Sequence, residues 1–150
     1  MFRGRYEHAI DQKGRTSLPS RFRDVLLSQG DHALILTTGL DPCVVAYPVA
    51  EWQRFEERLA KLSQLDPHVA AIRRIYLSGA VDCEIDKVGR LLIPVSLRAH
   101  ATLGRGAIWA GMGSHIELWA KDRFAKMCEQ ILGDEEKRIE VARRLSELGL

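Results

Sequence analysis

The residues Asp11-Gln12-Lys13-Gly14-Arg15 return as Asp86-Lys87-Val88-Gly89-Arg90, so one turn motif is carried twice at an offset of 75 residues. In each copy an aliphatic–proline pair follows at the same distance, Leu18-Pro19 and Ile93-Pro94, and then a matched arginine, Arg23 and Arg98. A chain of 150 residues built this way favours two small half-domains that complete a common core over one undivided domain.

The first copy reads as strand, turn, strand over residues 6–10, 11–15 and 16–18, because Gly14 can take the positive φ that a tight hairpin needs. Pro19 ends strand pairing and suits the first turn of a helix over 20–28, with Phe22, Val25 and Leu26 on one face and Gly30 as its stop. Two further strands follow, 33–37 and 43–47. The second copy repeats the order: strands 80–85 and 91–93, a helix over 95–103, then strands 107–110 and 116–119. After the first unit, Trp52, Phe55, Leu59, Leu62 and Leu65 fall at helical spacing, and Pro67 opens another helix over 68–77. In the tail, Phe124, Met127 and Ile131 continue such a stripe, and Ile139, Ala142 and Leu145 suggest a final helix. The expected units are 5–52 and 81–124, a helical connection over 53–80, and a helical tail over 125–150.

Hydrophobic residues at 46% and charged residues at 28% are the balance of a chain that folds. No run approaches the roughly 20 apolar residues of a membrane span, and Met1-Phe2-Arg3-Gly4-Arg5 lacks the apolar stretch of a signal peptide, so a cytoplasmic location is expected. The three cysteines, Cys43, Cys83 and Cys128, are odd in number and widely spaced, which fits small buried apolar residues better than disulfides or a zinc unit. The net charge is only +2, yet residues 1–23 hold six basic side chains against Glu7 and Asp11. Residues 80–100 hold three of each sign. Basic character is thus concentrated where a polyanion would meet the first turn.

Chemistry of other kinds finds little support. No phosphate-binding glycine loop occurs, and the five histidines have neither helical i, i+4 spacing nor a nearby cysteine, so no metal, cofactor or small-molecule substrate is expected and the chain does not read as an enzyme. Asp11 and Asp86 could be taken as paired catalytic carboxylates; the stronger reading is that each opens a turn, accepts backbone N–H groups and pairs with the arginine four residues on. Gly14 and Gly89 are explained by backbone conformation. What remains is lysine and arginine on two hairpins, and a two-stranded ribbon is narrow enough to enter a major groove.

The tetrapeptide Met-Phe-Arg-Gly, the two Asp-x-x-Gly-Arg turns with their aliphatic–proline pairs, and the Trp52 helix between them resemble the MraZ family of bacterial transcriptional regulators over about residues 1–125. The resemblance implies an α+β fold of tandem SpoVT-AbrB swapped-hairpin units, interleaved into one pseudo-two-fold β core with flanking helices. It also implies a homo-oligomeric ring that binds direct repeats of double-stranded DNA in its own promoter, nucleoid-associated, as a repressor of a division and cell-wall gene cluster. The family positions carried over are Arg3, Lys13, Arg15, Lys87 and Arg90, with Arg5 added for its charge beside the motif strand. Because only the first unit is basic, the first hairpin is expected to dominate phosphate contact. The competing reading is an AbrB-like antitoxin or interaction module that works through the C-terminal helix.

Overall fold

Both Asp-x-x-Gly-Arg turns form, but the strands that each one joins do not pair with one another. In the computed structural model, which describes residues 1–150, β1 (Arg5–Ala9) enters the first turn and β2 (Arg15–Ser17) leaves it, yet they belong to different sheets. With β3 (Ala33–Thr38), β4 (Val44–Pro48), β5 (Val81–Glu84), β6 (Arg90–Leu92), β7 (Gly106–Gly111) and β8 (Ile116–Ala120), the chain builds a six-stranded antiparallel sheet of order β1-β7-β8-β4-β3-β5. β2 and β6 form a separate two-stranded ribbon.

The two halves exchange strands. β1 from the first half lies on β7 of the second, and β5 from the second lies on β3 of the first. The registers match under the exchange: Ala9 opposite Gly106 corresponds to Glu84 opposite Ala33, and Tyr6 opposite Trp109 to Val81 opposite Leu36. The pairs Thr16–Leu91 in the ribbon and Val45–Glu117 in the sheet sit at the centres of the two ladders that join equivalent strands. The structure is therefore the mixed, tandem, interleaved fold that the family resemblance implies. The physical reason a simple hairpin does not form lies in the prolines and the turn. Asp11 N–H donates to Arg15 O at 2.9 Å, but beyond the turn Leu18 N–H donates to Gly89 O at 2.9 Å, and Ile93 N–H reciprocates to Gly14 O at 2.8 Å. Each outgoing arm thus finds its partner in the other half.

The helices follow the punctuation. Pro19, with φ −51° and ψ 137°, precedes α1 (Ser20–Ser28), and the chain reverses at Gly30, where Asp31 N–H donates to Leu26 O at 3.0 Å. Pro94 does the same for α4 (Val95–His100), which stops short of the expected 103 because Thr102 takes φ 48°. Leu18, Phe22 and Leu26 from the first half and Ile93, Leu97 and Ala101 from the second occupy corresponding buried sites. Each large apolar side chain so buried contributes about 1.5–3 kcal/mol relative to exposure. Phe2 is buried too, edge-on to Phe22 with ring centroids 5.6 Å apart.

α2 (Val49–Ala60) buries Trp52 and Leu59, but it ends before Leu62 and Leu65, and Leu65 stands 95% exposed in the turn that follows. α3 (Pro67–Ile72) is capped by Asp66, whose carboxylate accepts from His68 N–H at 2.8 Å, and it widens into a π-turn over Arg73–Leu77. A wider turn leaves carbonyls that are met from outside: Thr37 Oγ1 donates to Tyr76 O at 2.6 Å, and Thr38 Oγ1 to Ile75 O. Cys43 and Cys83 are buried and Cys128 is half-buried; all three are free thiols. Residues Met1–Ala120 make one compact unit. Lys121–Leu150 make a second, α5 (Lys121–Leu132) and α6 (Glu135–Glu147), the latter capped by Asp134 accepting from Lys137 N–H at 3.1 Å. No helix is long and apolar enough to cross a membrane.

Candidate nucleic-acid interface

The two turns are built alike, atom for atom. Asp11 Oδ1 accepts from the N–H groups of Lys13 and Arg15, each at 2.9 Å, while Oδ2 accepts from Arg15 Nε at 2.8 Å. Asp86 repeats this with Val88 N–H at 3.0 Å, Arg90 N–H at 2.8 Å and Arg90 Nε at 3.0 Å. The arginine N–H, ahead of the guanidinium, holds each carboxyl below its ordinary value of 3.8. The consequence is positional. In each turn the aspartate engages the arginine through Nε, and the side chains of Arg15 and Arg90 remain 42% and 47% exposed.

The ribbon then brings the two arginines together. Arg15 pairs with Leu92, Thr16 with Leu91 and Ser17 with Arg90. Thr16 and Leu91 point into the core, so Arg15, Ser17, Arg90 and Leu92 share the outer face. Arg15 and Arg90 are diagonal neighbours there, about 7–8 Å apart at the backbone. The arginines of the two turns thus present one strip of surface. Lys13 and Lys87 are exposed on the two flanking turns.

Strand exchange also moves the other matched pair. Arg98, from the second half, lies over the first turn: a Cβ on Gly14 would stand 2.6 Å from its Nε, which donates to Ile93 O at 3.0 Å. Arg23, from the first half, lies over the second, and a Cβ on Gly89 would stand 1.9 Å from its Nη1. Gly14 and Gly89, at φ 89° and 83°, are therefore required both by conformation and by these arginines. Counting Arg23 with the first turn, as sequence order suggests, assigns it to the wrong one.

The charge asymmetry survives this exchange. Beside the first turn is a cleft of about 640 Å³ lined by Asp11, Gln12, Arg98 and Arg105. Its counterpart beside the second, about 410 Å³, has Arg23 and Lys87 set against Asp31 and Asp86, with His32. Ile10 N–H donates to Arg105 O and Ile85 N–H to His32 O, so an arginine on one side answers a histidine on the other. Arg105 was hidden in the sequence between two glycines that read only as turn. Arg3 and Arg5 are exposed but are not gathered with the others; Arg5 lies at the far end of β1, roughly 20 Å along the strand from Asp11. No group of three or more His, Cys, Asp or Glu side chains is placed to hold a metal ion.

A family model described as MraZ protein, putative antitoxin-like, matches the chain twice, over residues 1–75 and 76–147, in step with the 75-residue offset of the turns. Among curated relatives, a protein of Heliobacterium modesticaldum is 41% identical over 150 residues, covering 100% of both chains. Proteins of Lachnoclostridium phytofermentans, 42% identical, and Pelotomaculum thermopropionicum, 41% identical, each align over 100% of this chain and 99% of their own length. All three relatives carry the name transcriptional regulator MraZ.

Proposed function

The chain belongs to the MraZ family, and from that premise we propose that it is a transcriptional regulator that binds double-stranded DNA through the outer face of the β2–β6 ribbon. The observation that carries the reading is the convergence of Arg15 and Arg90 on one face, each pinned at Nε by its own aspartate and left 42% and 47% exposed. A pinned guanidinium has already lost much of its rotamer freedom, and its remaining fork matches a phosphate or the O6/N7 edge of guanine. Lys13 and Lys87, with Arg5 at the start of β1 and Arg3 before it, supply sequence-independent attraction.

In this reading several subunits assemble into a ring, each ribbon takes one of a series of direct repeats in the promoter of the chain's own gene cluster, and occupancy represses transcription from the nucleoid. Linkage in the ring raises the effective concentration of each successive ribbon, so individually weak contacts suffice. The test is a titration of DNA from upstream of its own gene at 50 and 200 mM salt. Six to ten phosphate contacts should cost about 10³–10⁵ in affinity between those conditions. A flat salt response sinks the proposal.

A second reading is favoured by one observation: Lys121–Leu150 exposes Leu132, Ile139 and Leu145 on α5 and α6. Such a face suits a protein partner, as an antitoxin-like tail would. The double variant Ile139→Asp with Leu145→Asp separates the readings. Loss of partner capture with DNA binding intact assigns the tail to that role, and loss of neither removes it.

A further inference from the structure

The ribbon is symmetric in its arginines and asymmetric in what lies between them. Equivalent outward positions of the two halves carry Lys13 and Val88, Ser17 and Leu92, and Ser20 and Val95. The second member of each pair is apolar and exposed, at 62%, 57% and 72%. Leu92 is the central case, because it stands directly opposite Arg15 and two residues from Arg90 on the same face. Ser17, its counterpart opposite Arg90, is polar and held by His8 Nδ1 at 2.7 Å. A leucine between two guanidinium groups gives nothing to a phosphate. It is also a poor seat for a second protein copy, which would have to desolvate both arginines and match them with carboxylates.

The occupant that satisfies all three side chains at once is the floor of a major groove, where acceptor edges of guanine and the 5-methyl of thymine lie side by side. We propose that Leu92 is a base-reading residue that packs on a thymine methyl next to the base gripped by Arg15, and that the ribbon consequently reads its site in one direction only. The proposal rests on the DNA-binding reading above and deepens it. With Ser17 at the other end, the two halves cannot be interchanged on the DNA, and a box that fits in one orientation is mismatched in the other.

The experiment uses the full chain and the promoter duplex from upstream of its own gene, made once with thymidine and once with deoxyuridine, which differs only by the missing methyl. Wild-type protein should bind the thymidine duplex more tightly by about fourfold per engaged box, the value of one buried methyl-sized group. Leu92→Ser, at an exposed position, should bind both duplexes equally, with the salt slope unchanged. Equal wild-type affinity for the two duplexes overturns the assignment. So does a Leu92→Ser variant that keeps the thymidine preference, or one that dissociates the assembly while keeping it, which would give Leu92 to a subunit contact. If wild-type protein binds neither duplex, the regulator reading itself falls, an outcome distinct from binding without methyl preference.

Discussion

The interlock of the two turns makes a graded prediction about three glycines. Gly14, Gly89 and Gly30 all hold positive φ, at 89°, 83° and 79°, so alanine at any of them meets the same backbone penalty of about 1–2 kcal/mol. Their surroundings differ. A Cβ at Gly30 meets nothing within 4 Å, and Gly30→Ala should cost that penalty alone. At Gly89 the obstruction is the Arg23 side chain from Cδ to Nη1, with no backbone atom among the three nearest neighbours, and moving it aside loses a 3.4 Å contact to Val88 O. At Gly14 the new atom lies 2.6 Å from Arg98 Nε and 2.9 Å from Ile93 O, and this carbonyl belongs to the same residue that donates back to Gly14. Relief must displace both the Arg98–Ile93 hydrogen bond and the Ile93–Gly14 bond, each worth about 0.5–1.5 kcal/mol. Gly14→Ala should therefore cost about 2–5 kcal/mol in total, with Gly89→Ala intermediate. Urea denaturation at fixed protein concentration measures the order. Equal losses at Gly14 and Gly30 would refute the claim that the halves lock through these turns.

Four other outcomes follow from the same geometry. Arg15→Ala should weaken DNA binding and lower the salt slope more than Arg90→Ala, because only the first turn is flanked by Arg105 without opposing Asp31; equal effects in a salt titration remove the asymmetry. Thr16 Oγ1 is buried with no partner, so Thr16→Val should raise stability by about 1 kcal/mol in the same denaturation assay. Asp11 and Asp86 have lowered folded values, so their contribution is complete above 3.8 and is lost as pH falls below it; acid titration followed by circular dichroism should show the turns failing in that range, and Asp11→Asn should flatten part of the loss. Burial pushes the thiols of Cys43 and Cys83 upward, so a thiol reagent should modify one cysteine of the native chain, Cys128, and all three only after unfolding.

Local structure was legible wherever the chain carries its own punctuation. Pro19 and Gly30 bound α1 at the residues expected, and Asp11 and Asp86 close the turns as their spacing requires. Partnership was not legible. Alternation in β1 says that one face is buried, but nothing in Tyr6 names Trp109 as its neighbour, and the interleaved sheet was available only through the family resemblance. The same gap misplaced Arg23 and Arg98, which meet Val88 and Gly14 of the opposite halves, 65 and 84 residues away. Leu62 and Leu65 kept helical spacing after the helix had stopped, since spacing alone carries no end signal. The site showed the same division: its charges could be listed from the sequence, whereas their convergence on one ribbon face depends on the register of β2 with β6.

The exchange of β1 onto β7 has a consequence for synthesis. A strand that ends at Ala9 waits for a partner that begins at Gly106, which at about 5–20 residues per second is an interval of roughly 5 to 20 s. During it, β1 and the edge of β3 that β5 will cover have no strand partner within their own polypeptide. Keeping both halves in one gene product shortens that exposure to a single elongation time, and it makes the halves find each other at a concentration set by a tether and not by expression level.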